Sequence, residues 1–243
     1  MALVEELPGI AGAVVEKAGR SVVRVGRDGR GSGVVIGDGL VLTSAHNLRG
    51  GEIAVAFPDG RSVVGTVAAS DADADVAVVN VDTAGAPALD WDPKAAGSLP
   101  VGTPVVGVAL AAGGGVRVTF GTVSSTGRAF RGPRGRLISD GIEHTAALGR
   151  GSSGGPLLDV QGRLVGVNTH RTGDGFYLAV PAGPTLKSKV DGLSRGETPT
   201  RRRLGVGLAP SGVASRLRSA VGLPPRDGVL VRDVADGSPA GEA

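Results

Sequence analysis

Residues 146–159 read AALGRGSSGGPLLD, and this stretch places one hydroxyl, that of Ser153, inside a run of glycines. A serine nucleophile needs open space around its hydroxyl and backbone N–H groups that point to one position beside it. Gly151, Gly154 and Gly155 permit the unusual dihedral angles and the close approach that such a turn requires. GSSGG alone is more typical of a Gly/Ser surface loop. A nucleophilic serine also needs a base and an orienting acid, so the rest of the chain has to supply both.

The composition is typical of a β-rich protein with small core side chains. The chain has 243 residues, 41% of them hydrophobic but only 2% aromatic, so its core would consist mainly of Val, Ala and Leu. Its 43 glycines and 15 prolines lie between short Val-rich runs, which is typical of turns between strands. The absence of cysteine excludes disulfide bonds and thiolate metal sites, and we expect no cofactor. A net charge of only +3 argues against a nucleic-acid partner.

Two segments bear on export and on membranes. The chain starts MALVEELPGI, with Glu5 and Glu6 where an export signal would have a basic segment and an apolar core. We therefore expect no signal peptide in the chain as given, although a processed mature form would look the same, so the compartment stays open. Residues 95–116 carry no charge, but their Gly and Pro content favours a buried strand between turns over a membrane span.

The hydrophobic pattern divides the chain into segments. Residues 1–20 are predicted to contain a short helix starting near Ile10, and residues 21–193 to form the main domain. Strands are predicted at 21–25, 31–36, 39–46, 52–57, 62–69 and 75–81, then at 103–110, 116–125, 163–169 and 176–181. These would build two β units, at about 21–90 and 100–182, closed by a helix at 184–193. The basic stretch 127–136 is predicted to be mobile, 194–203 to be a linker, and 204–243 to be a separate segment.

Histidine is the favoured base, because it accepts a proton near neutral pH. His46 directly follows a Val/Leu strand, whereas His144 and His170 are interpreted as structural or solvated. Asp75 is the best-placed acid, because the valines that follow it indicate burial at the start of a strand. Asp71 and Asp73 are interpreted as parts of a solvated acidic turn.

Three motifs together resemble the chymotrypsin-like serine proteases. They are TSAH with His46, ADVAVV with Asp75 and GSSGGP with Ser153, and they occur in the order His, Asp, Ser of that fold. Further motifs resemble the HtrA (Deg) branch over roughly residues 20–185: GSGVVI, GLVLTSAH, VGTPVVGVAL, VTFGTVSS, IEHTAALGRGSSGGPLLD, LVGVNT and FYLAVPA. The tail RRRLGVGLAPSG resembles the first half of the PDZ domain that follows these proteases.

The resemblance implies an all-β protein with two antiparallel β-barrels of the trypsin-like fold and an active site in the cleft between them. His46 would be the general base, Asp75 would orient it, and Ser153 would attack the peptide carbonyl of an unfolded or damaged protein. The oxyanion hole would use backbone N–H groups of Gly151 and Ser153, helped by Ser152. Ala147, Leu148 and Thr169 would line an uncharged pocket that prefers small or medium aliphatic residues.

Several departures from the HtrA pattern concern the same site. Ser152 stands where Asn is usual, Thr145 where Asp is common, Asn47 where Val is usual, and Leu148–Gly149–Arg150 where Ile-Asn-Pro is usual. The loop before Ser153 controls whether the oxyanion hole is formed, so we expect that the resting state could be inactive. HtrA trimers are held by N-terminal aromatic residues, and this chain has none before Phe57, which leaves a homo-oligomer, and a trimer above all, in question.

The tail supports a rival hypothesis from another class. Leu204, Gly205 and Val206 resemble the loop that receives a peptide C-terminus, although residues 204–243 are only about half a PDZ domain. The chain could therefore be a non-catalytic peptide binder or holdase that uses the same cleft and tail. A weaker third hypothesis is a processing enzyme with one dedicated substrate. The basic run at residues 201–203 is interpreted as a solvated linker rather than a contact with nucleic acid or membrane.

Overall fold

The computed structural model describes residues 2–27, 30–94, 96, 99–111, 114–131, 137–173, 175–199, 204–224, 226 and 230–243. Helix α1 (Ala2–Ala18) starts well before the predicted position near Ile10 and continues through Pro8. A proline inside a helix removes one backbone hydrogen bond, so the apolar face that includes the buried Val14 and Ala18 outweighs this loss. None of the helices in the described residues is long and apolar enough to cross a membrane.

The first barrel consists of six antiparallel strands. They are β1 (Val22–Val25), β2 (Gly31–Gly37), β3 (Leu40–Thr43), β4 (Glu52–Ala56), β5 (Ser62–Asp71) and β6 (Val76–Asn80), closed in the order β1-β2-β3-β6-β5-β4. Alternate side chains point inward along each strand, so the valines meet in one cluster with Ile53 and Phe57. The strands β3 and β6, which end next to His46 and begin next to Asp75, are neighbours in this barrel.

The second barrel repeats this plan. Its strands are β7 (Pro104–Leu110), β8 (Val116–Arg131), β9 (Leu137–His144), β10 (Pro156–Leu158), β11 (Leu164–Gly173) and β12 (Phe176–Pro181), closed in the order β10-β11-β12-β9-β8-β7. The two antiparallel barrels expected from the resemblance are thereby confirmed. The basic stretch predicted to be mobile is part of β8 up to Arg131, while residues 132–136 lie outside the described residues.

A shared hydrophobic core joins the two barrels. It contains Val34, Leu42 and Val78 from the first barrel together with Val108 and Leu158 from the second. Burial of each such side chain contributes roughly 1.5–3 kcal/mol to the free energy of folding, so the shared core holds the two barrels together. The segment that crosses between the barrels is held by Trp91, whose indole N–H donates to the Ala182 carbonyl oxygen at 2.6 Å.

Helix α2 (Pro184–Ser194) closes the two-barrel unit, in agreement with the predicted apolar spacing. Leu186, Val190 and Leu193 are buried, and the helix packs against β5 and β6 of the first barrel. This places the end of the second-barrel sequence beside the strand that precedes Asp75.

Residues from Pro199 onward form a second compact unit. It contains β13 (Val206–Ala209), α3 (Ser211–Ala220) and β14 (Leu230–Val234), with β13 and β14 paired as a two-stranded antiparallel sheet. Ala209 and Ala214 are buried in this unit, whereas Leu204, Leu208 and Val221 are exposed. The predicted linker, 194–203, includes the end of α2 at Ser194, and residues 200–203 lie outside the described residues.

Candidate active site

The first barrel brings His46 and Asp75 into direct contact. His46 lies on a 3-10 turn (Ala45–Asn47) after β3, and Asp75 lies just before β6. The His46 Nδ1 atom is 2.9 Å and 2.8 Å from the two carboxylate oxygens of Asp75, and the His46 backbone N–H donates to Asp75 Oδ1 at 3.0 Å. Because Nδ1–H faces a carboxylate, the proton is assigned to Nδ1, and Nε2 is the nitrogen that can accept another proton.

Asp75 is almost inaccessible to water but well supplied with donors. Its side chain is 5% exposed, against 24% for His46. Besides the two N–H groups of His46, its Oδ2 atom accepts a hydrogen bond from the Thr169 hydroxyl, which belongs to the second barrel. A buried carboxylate is tolerated when its oxygens are hydrogen-bonded, so Thr169 completes the surroundings of Asp75.

Ser153 lies on the turn between β9 and β10 and faces the same cleft. Its hydroxyl donates to the Thr169 carbonyl oxygen at 3.0 Å. Within the described residues, no hydrogen bond joins this hydroxyl to His46. Before the hydroxyl could pass its proton to His46 Nε2, it would have to turn from the Thr169 carbonyl oxygen towards that nitrogen. Catalytic hydrogen bonds are often formed only when substrate is bound.

The backbone of the Ser153 turn is held by the first barrel. The Ser153 carbonyl accepts the Ser32 backbone N–H at 2.8 Å and the Asn47 side-chain amide at 2.9 Å. The Gly151 carbonyl accepts the Ser32 hydroxyl at 2.7 Å. Gly154 allows this close approach, because a Cβ there would lie 2.3 Å from the Ser32 carbonyl oxygen and its φ is +85°. We call these donors, Ser32 and Asn47, the backbone clamp.

The clamp leaves two N–H groups without an internal acceptor. Neither the Gly151 N–H nor the Ser153 N–H donates to any acceptor in the described part of the chain. Gly151 has φ +82°, a value that favours glycine. Ser152 differs from its predicted role, because its N–H is directed to the Gly149 carbonyl oxygen at 3.4 Å and its side chain is buried. Of the three predicted donors, Gly151 and Ser153 are therefore the two available to stabilise an oxyanion.

The predicted pocket residues have different surroundings. Ala147 is exposed, and Leu148 is half-buried, with its side chain 2.9 Å from where a Cβ of Gly107 would lie. Thr169 is only 3% exposed and its hydroxyl is bonded to Asp75, so its side chain does not line an open pocket. Its interpretation as a pocket residue is corrected: Thr169 contacts Asp75 through its hydroxyl and Ser153 through its carbonyl.

Comparison with known proteins assigns this geometry to a family. The model of the trypsin-like peptidase domain matches residues 31–167, a span that includes His46, Asp75 and Ser153. The chain belongs to the trypsin-like peptidase family. This assignment agrees with the two closed six-stranded barrels.

The relatives of this trypsin-like peptidase are HtrA-type serine proteases, as the motifs indicated. It is 34% identical over 224 residues to the Chlamydia pneumoniae protein "Probable periplasmic serine endoprotease DegP-like", an alignment that covers 88% of this chain and 44% of the relative. It is also 34% identical over 228 residues to "Protease Do-like 1, chloroplastic" of Arabidopsis thaliana, covering 88% of this chain and 49% of that protein. The chain thus spans about half the length of these curated relatives.

Solved structures agree with the sequence relatives. The "HtrA-type protease AlgW with decapeptide" matches with a TM-score of 0.70 and 25% identity, over 95% of this chain and 81% of that chain. The "HtrA-type protease AlgW with tripeptide" matches with a TM-score of 0.69 and 28% identity, over 94% of this chain and 78% of that chain.

The other two histidines of the peptidase domain lie outside this cluster. His144 is fully buried, its Nε2 is 3.0 Å from Asn168 Oδ1, and its ring stacks on Tyr177. Burial lowers the pKa of His144 to about 4, so the ring is neutral at neutral pH. His170 is exposed. Within the described residues, no group of three or more His, Cys, Asp or Glu side chains is placed to hold a metal ion.

The three residues predicted to bind a peptide C-terminus belong to the second unit. Leu204 is 70% exposed, Gly205 has φ +79°, and Val206 begins β13. The carbonyl oxygens of Leu204 and Gly205 accept the N–H groups of Ala240 and Ala235, at 2.9 Å and 2.7 Å. This loop is therefore held by the end of the chain within its own unit.

Proposed function

We propose that the chain is a serine endopeptidase of HtrA type that cleaves unfolded or damaged proteins through an acyl-enzyme. The observation that carries the proposal is the His46–Asp75 pair, bonded at 2.8–2.9 Å, together with two unengaged N–H groups beside Ser153. A complete set of base, orienting acid, nucleophile and oxyanion donors has a clear use in acyl transfer. A binding protein would not require it.

In the proposed reaction Ser153 Oγ attacks the scissile carbonyl carbon while His46 Nε2 accepts the hydroxyl proton. Asp75, held by Thr169, stabilises the imidazolium that forms. The N–H groups of Gly151 and Ser153 stabilise the oxyanion. His46 then donates the proton to the leaving amine, which yields the acyl-enzyme. A water molecule, deprotonated by His46, hydrolyses the ester and restores Ser153.

The residues proposed to line the pocket for the residue before the cleaved bond set the expected substrate class. Ala147 and Leu148 supply apolar surface and no charge, so we propose a preference for small or medium aliphatic residues before the cleaved bond. Such residues are buried in folded proteins and become accessible in unfolded ones. Unfolded chains and flexible peptides are therefore the proposed substrates.

We further propose that the second unit is the first part of a PDZ-like module. Support comes from the order strand, helix, strand and from the exposed Leu204 before β13, where a peptide carboxylate could meet Gly205 and Val206.

The protease and the non-catalytic alternative differ in what they predict for the Ser153 hydroxyl. The Ser153 hydroxyl donates to the Thr169 carbonyl oxygen instead of to His46, so the nucleophile is not yet bonded to its base. A peptide binder with the same cleft would keep this arrangement permanently, whereas a protease would change it when substrate is bound.

The experiment that separates the two hypotheses is labelling with a fluorophosphonate probe, located by peptide mass spectrometry. Wild type is compared with Ser153→Ala and His46→Ala, and an unfolded protein substrate is incubated in parallel. We expect label on Ser153 that is lost in both variants, because losing a triad nucleophile or base costs on the order of 10⁶ in turnover. Folded wild type that neither labels nor cleaves, with or without peptides ending in aliphatic residues, would contradict the protease function and support the binder.

A further inference from the structure

Asp75 contacts His46 from a backbone conformation that needs support. Its φ is +55°, in the left-handed region that residues other than glycine occupy only when their surroundings hold them there. Strand pairing between β5 and β6 reaches as far as Asp71 and Val76, and residues 72–75 form the turn between them. The position of the Asp75 carboxylate therefore depends on what holds this turn.

The Asp71 side chain holds the turn from within. Its Oδ1 atom accepts the backbone N–H of Asp73 at 2.9 Å and that of Ala74 at 3.1 Å. Aspartate side chains stabilise turns by accepting N–H groups two or three residues ahead. In this turn, the two N–H groups belong to the two residues directly before Asp75. Asp71, first interpreted as part of a solvated acidic turn, is instead only 7% exposed.

Lys189 of α2 holds Asp71 from outside the barrel. Its Nζ atom contacts Asp71 Oδ2, across 118 positions of sequence. A carboxylate with so little access to water needs a paired charge or hydrogen bonds, and Asp71 has both. Because α2 packs against β5 and β6, the lysine approaches from a fixed element rather than from a loop. A chain of contacts thus runs from α2 through Asp71 and the turn to Asp75.

We propose that Asp71 and Lys189 are positioning residues for Asp75, so that helix α2 determines how the orienting acid is presented to His46. The inference rests on the proposed serine-protease function of the same site. Without the Asp71 bonds, the turn can leave its strained conformation and the carboxylate moves away from His46. A displacement of about 1 Å in a catalytic group costs up to about 10²-fold in rate. Neither residue is among those proposed to contact substrate, so we expect the loss in kcat and an unchanged KM.

The test uses a graded set of variants of the full chain. Asp71→Ala removes both turn bonds and is expected to lower kcat by about 10²-fold. Asp71→Asn keeps an oxygen acceptor for the turn N–H groups. Lys189→Met leaves Asp71 in place and removes only the ammonium group that contacts it. Each variant is expected to lower kcat by about 10-fold. Lys189→Arg restores the charge and should retain most of the activity. Lys187→Met is the matched control, because Lys187 lies on the same helix but pairs with Asp191 at 2.5 Å.

A second measurement follows the geometry itself and does not depend on turnover. The proton of His46 Nδ1–H, bonded to a carboxylate, gives a downfield proton resonance in NMR spectra. We expect this resonance to shift or disappear in Asp71→Ala and Lys189→Met but to stay in Lys187→Met and Lys189→Arg. Melting temperatures of all variants are recorded. If Asp71→Ala fails to fold, Lys189→Met provides the test, because the half-buried Lys189 side chain is replaced by one of similar length.

The outcomes separate this inference from the proposed function. Folded Asp71→Asn and Lys189→Met with wild-type kcat and an unchanged His46 resonance would overturn the positioning role, even if their melting temperatures fall. Changes of the resonance in a chain that shows no hydrolysis at all would support the positioning role and reject the protease function. Changes in both kcat and the His46 resonance would support the positioning role and the protease function together.

Discussion

Under the proposed peptidase mechanism, the two barrels prepare their parts of the site for catalysis to different degrees. On the first-barrel side, His46 and Asp75 already make the contacts that proton transfer requires. On the second-barrel side, the backbone around Ser153 is clamped, but the Ser153 hydroxyl is bonded to Thr169. In the proposed mechanism the acid, the base and the oxyanion donors are therefore in place, and the Ser153 hydroxyl is not.

The difference shows which parts of the site cost the most free energy to reorient during the reaction. Charges and backbone dipoles must be oriented before the reaction, because reorganising them during it would cost most of the catalytic benefit. A serine rotamer costs little to change. Thr169 contacts both sides, since its hydroxyl reaches Asp75 and its carbonyl accepts the Ser153 hydroxyl.

The largest expected effect comes from removing the backbone clamp. Without it, the backbone around Ser153 would no longer be held in position. Ser32→Ala removes the bond to the Gly151 carbonyl, and Asn47→Leu removes one donor to the Ser153 carbonyl. Because these bonds orient the oxyanion donors, we expect each to lower kcat by about 10²-fold, measured by steady-state hydrolysis. Ser62→Ala, an exposed serine of the same barrel, is the control. Wild-type kcat in both clamp variants would contradict the assigned role.

A smaller effect is expected from the residue that the two sides share. Thr169→Val keeps the shape and the carbonyl but removes the hydroxyl bonded to Asp75. Hydrogen bonds to charged groups contribute about 1.5–3 kcal/mol, and because Asp75 keeps both N–H groups of His46 we expect the lower end of this range, a fall in kcat of about 10-fold. Thr169→Ser should retain the bond and the activity. Equal rates for Val and Ser would show that the Thr169 hydroxyl does not support Asp75.

The smallest effect on activity is expected at His144, which lies outside the site and affects stability. Its pKa is lowered by burial from 6.5 to about 4, so between these values the unfolded state binds more protons than the folded state. The stability it contributes is complete above pH 6.5 and is lost as the pH falls towards 4, by about 3 kcal/mol in all. Urea unfolding of wild type and His144→Gln at several pH values measures this loss. If the free energy of unfolding had the same pH dependence in both proteins, the assigned role of His144 would be contradicted.

The sequence predicted the parts of the fold that follow from local pattern. Alternating valines and Gly-rich turns indicated the strands, and the apolar spacing of Leu186, Val190 and Leu193 indicated α2. His46 could be selected because it follows a buried strand, and Asp75 because valines follow it. These choices depend on a few neighbouring residues, which a single sequence contains.

The sequence could not predict contacts that depend on strand register or on distant pairs. The pairing of β11 with β12 shifts between Asn168 and His170, and this irregularity decides the direction of the Thr169 side chain. Lys189 and Asp71 are far apart in sequence, and nothing in either segment indicates the other. Ser32 lies in the GSGVVI motif and Asn47 directly follows His46, but neither position indicated a contact with the turn around Ser153.

The central claim is that the backbone of the site is already assembled and only the nucleophile moves. It is tested most directly by a crystal structure of the Ser153 fluorophosphonate adduct beside that of the unmodified chain. We predict a phosphonyl oxygen within hydrogen-bond distance of the Gly151 and Ser153 N–H groups, unchanged backbone over residues 149–155, and a changed Ser153 rotamer. A backbone that rearranges over this turn, or an oxygen bound elsewhere, would contradict the claim.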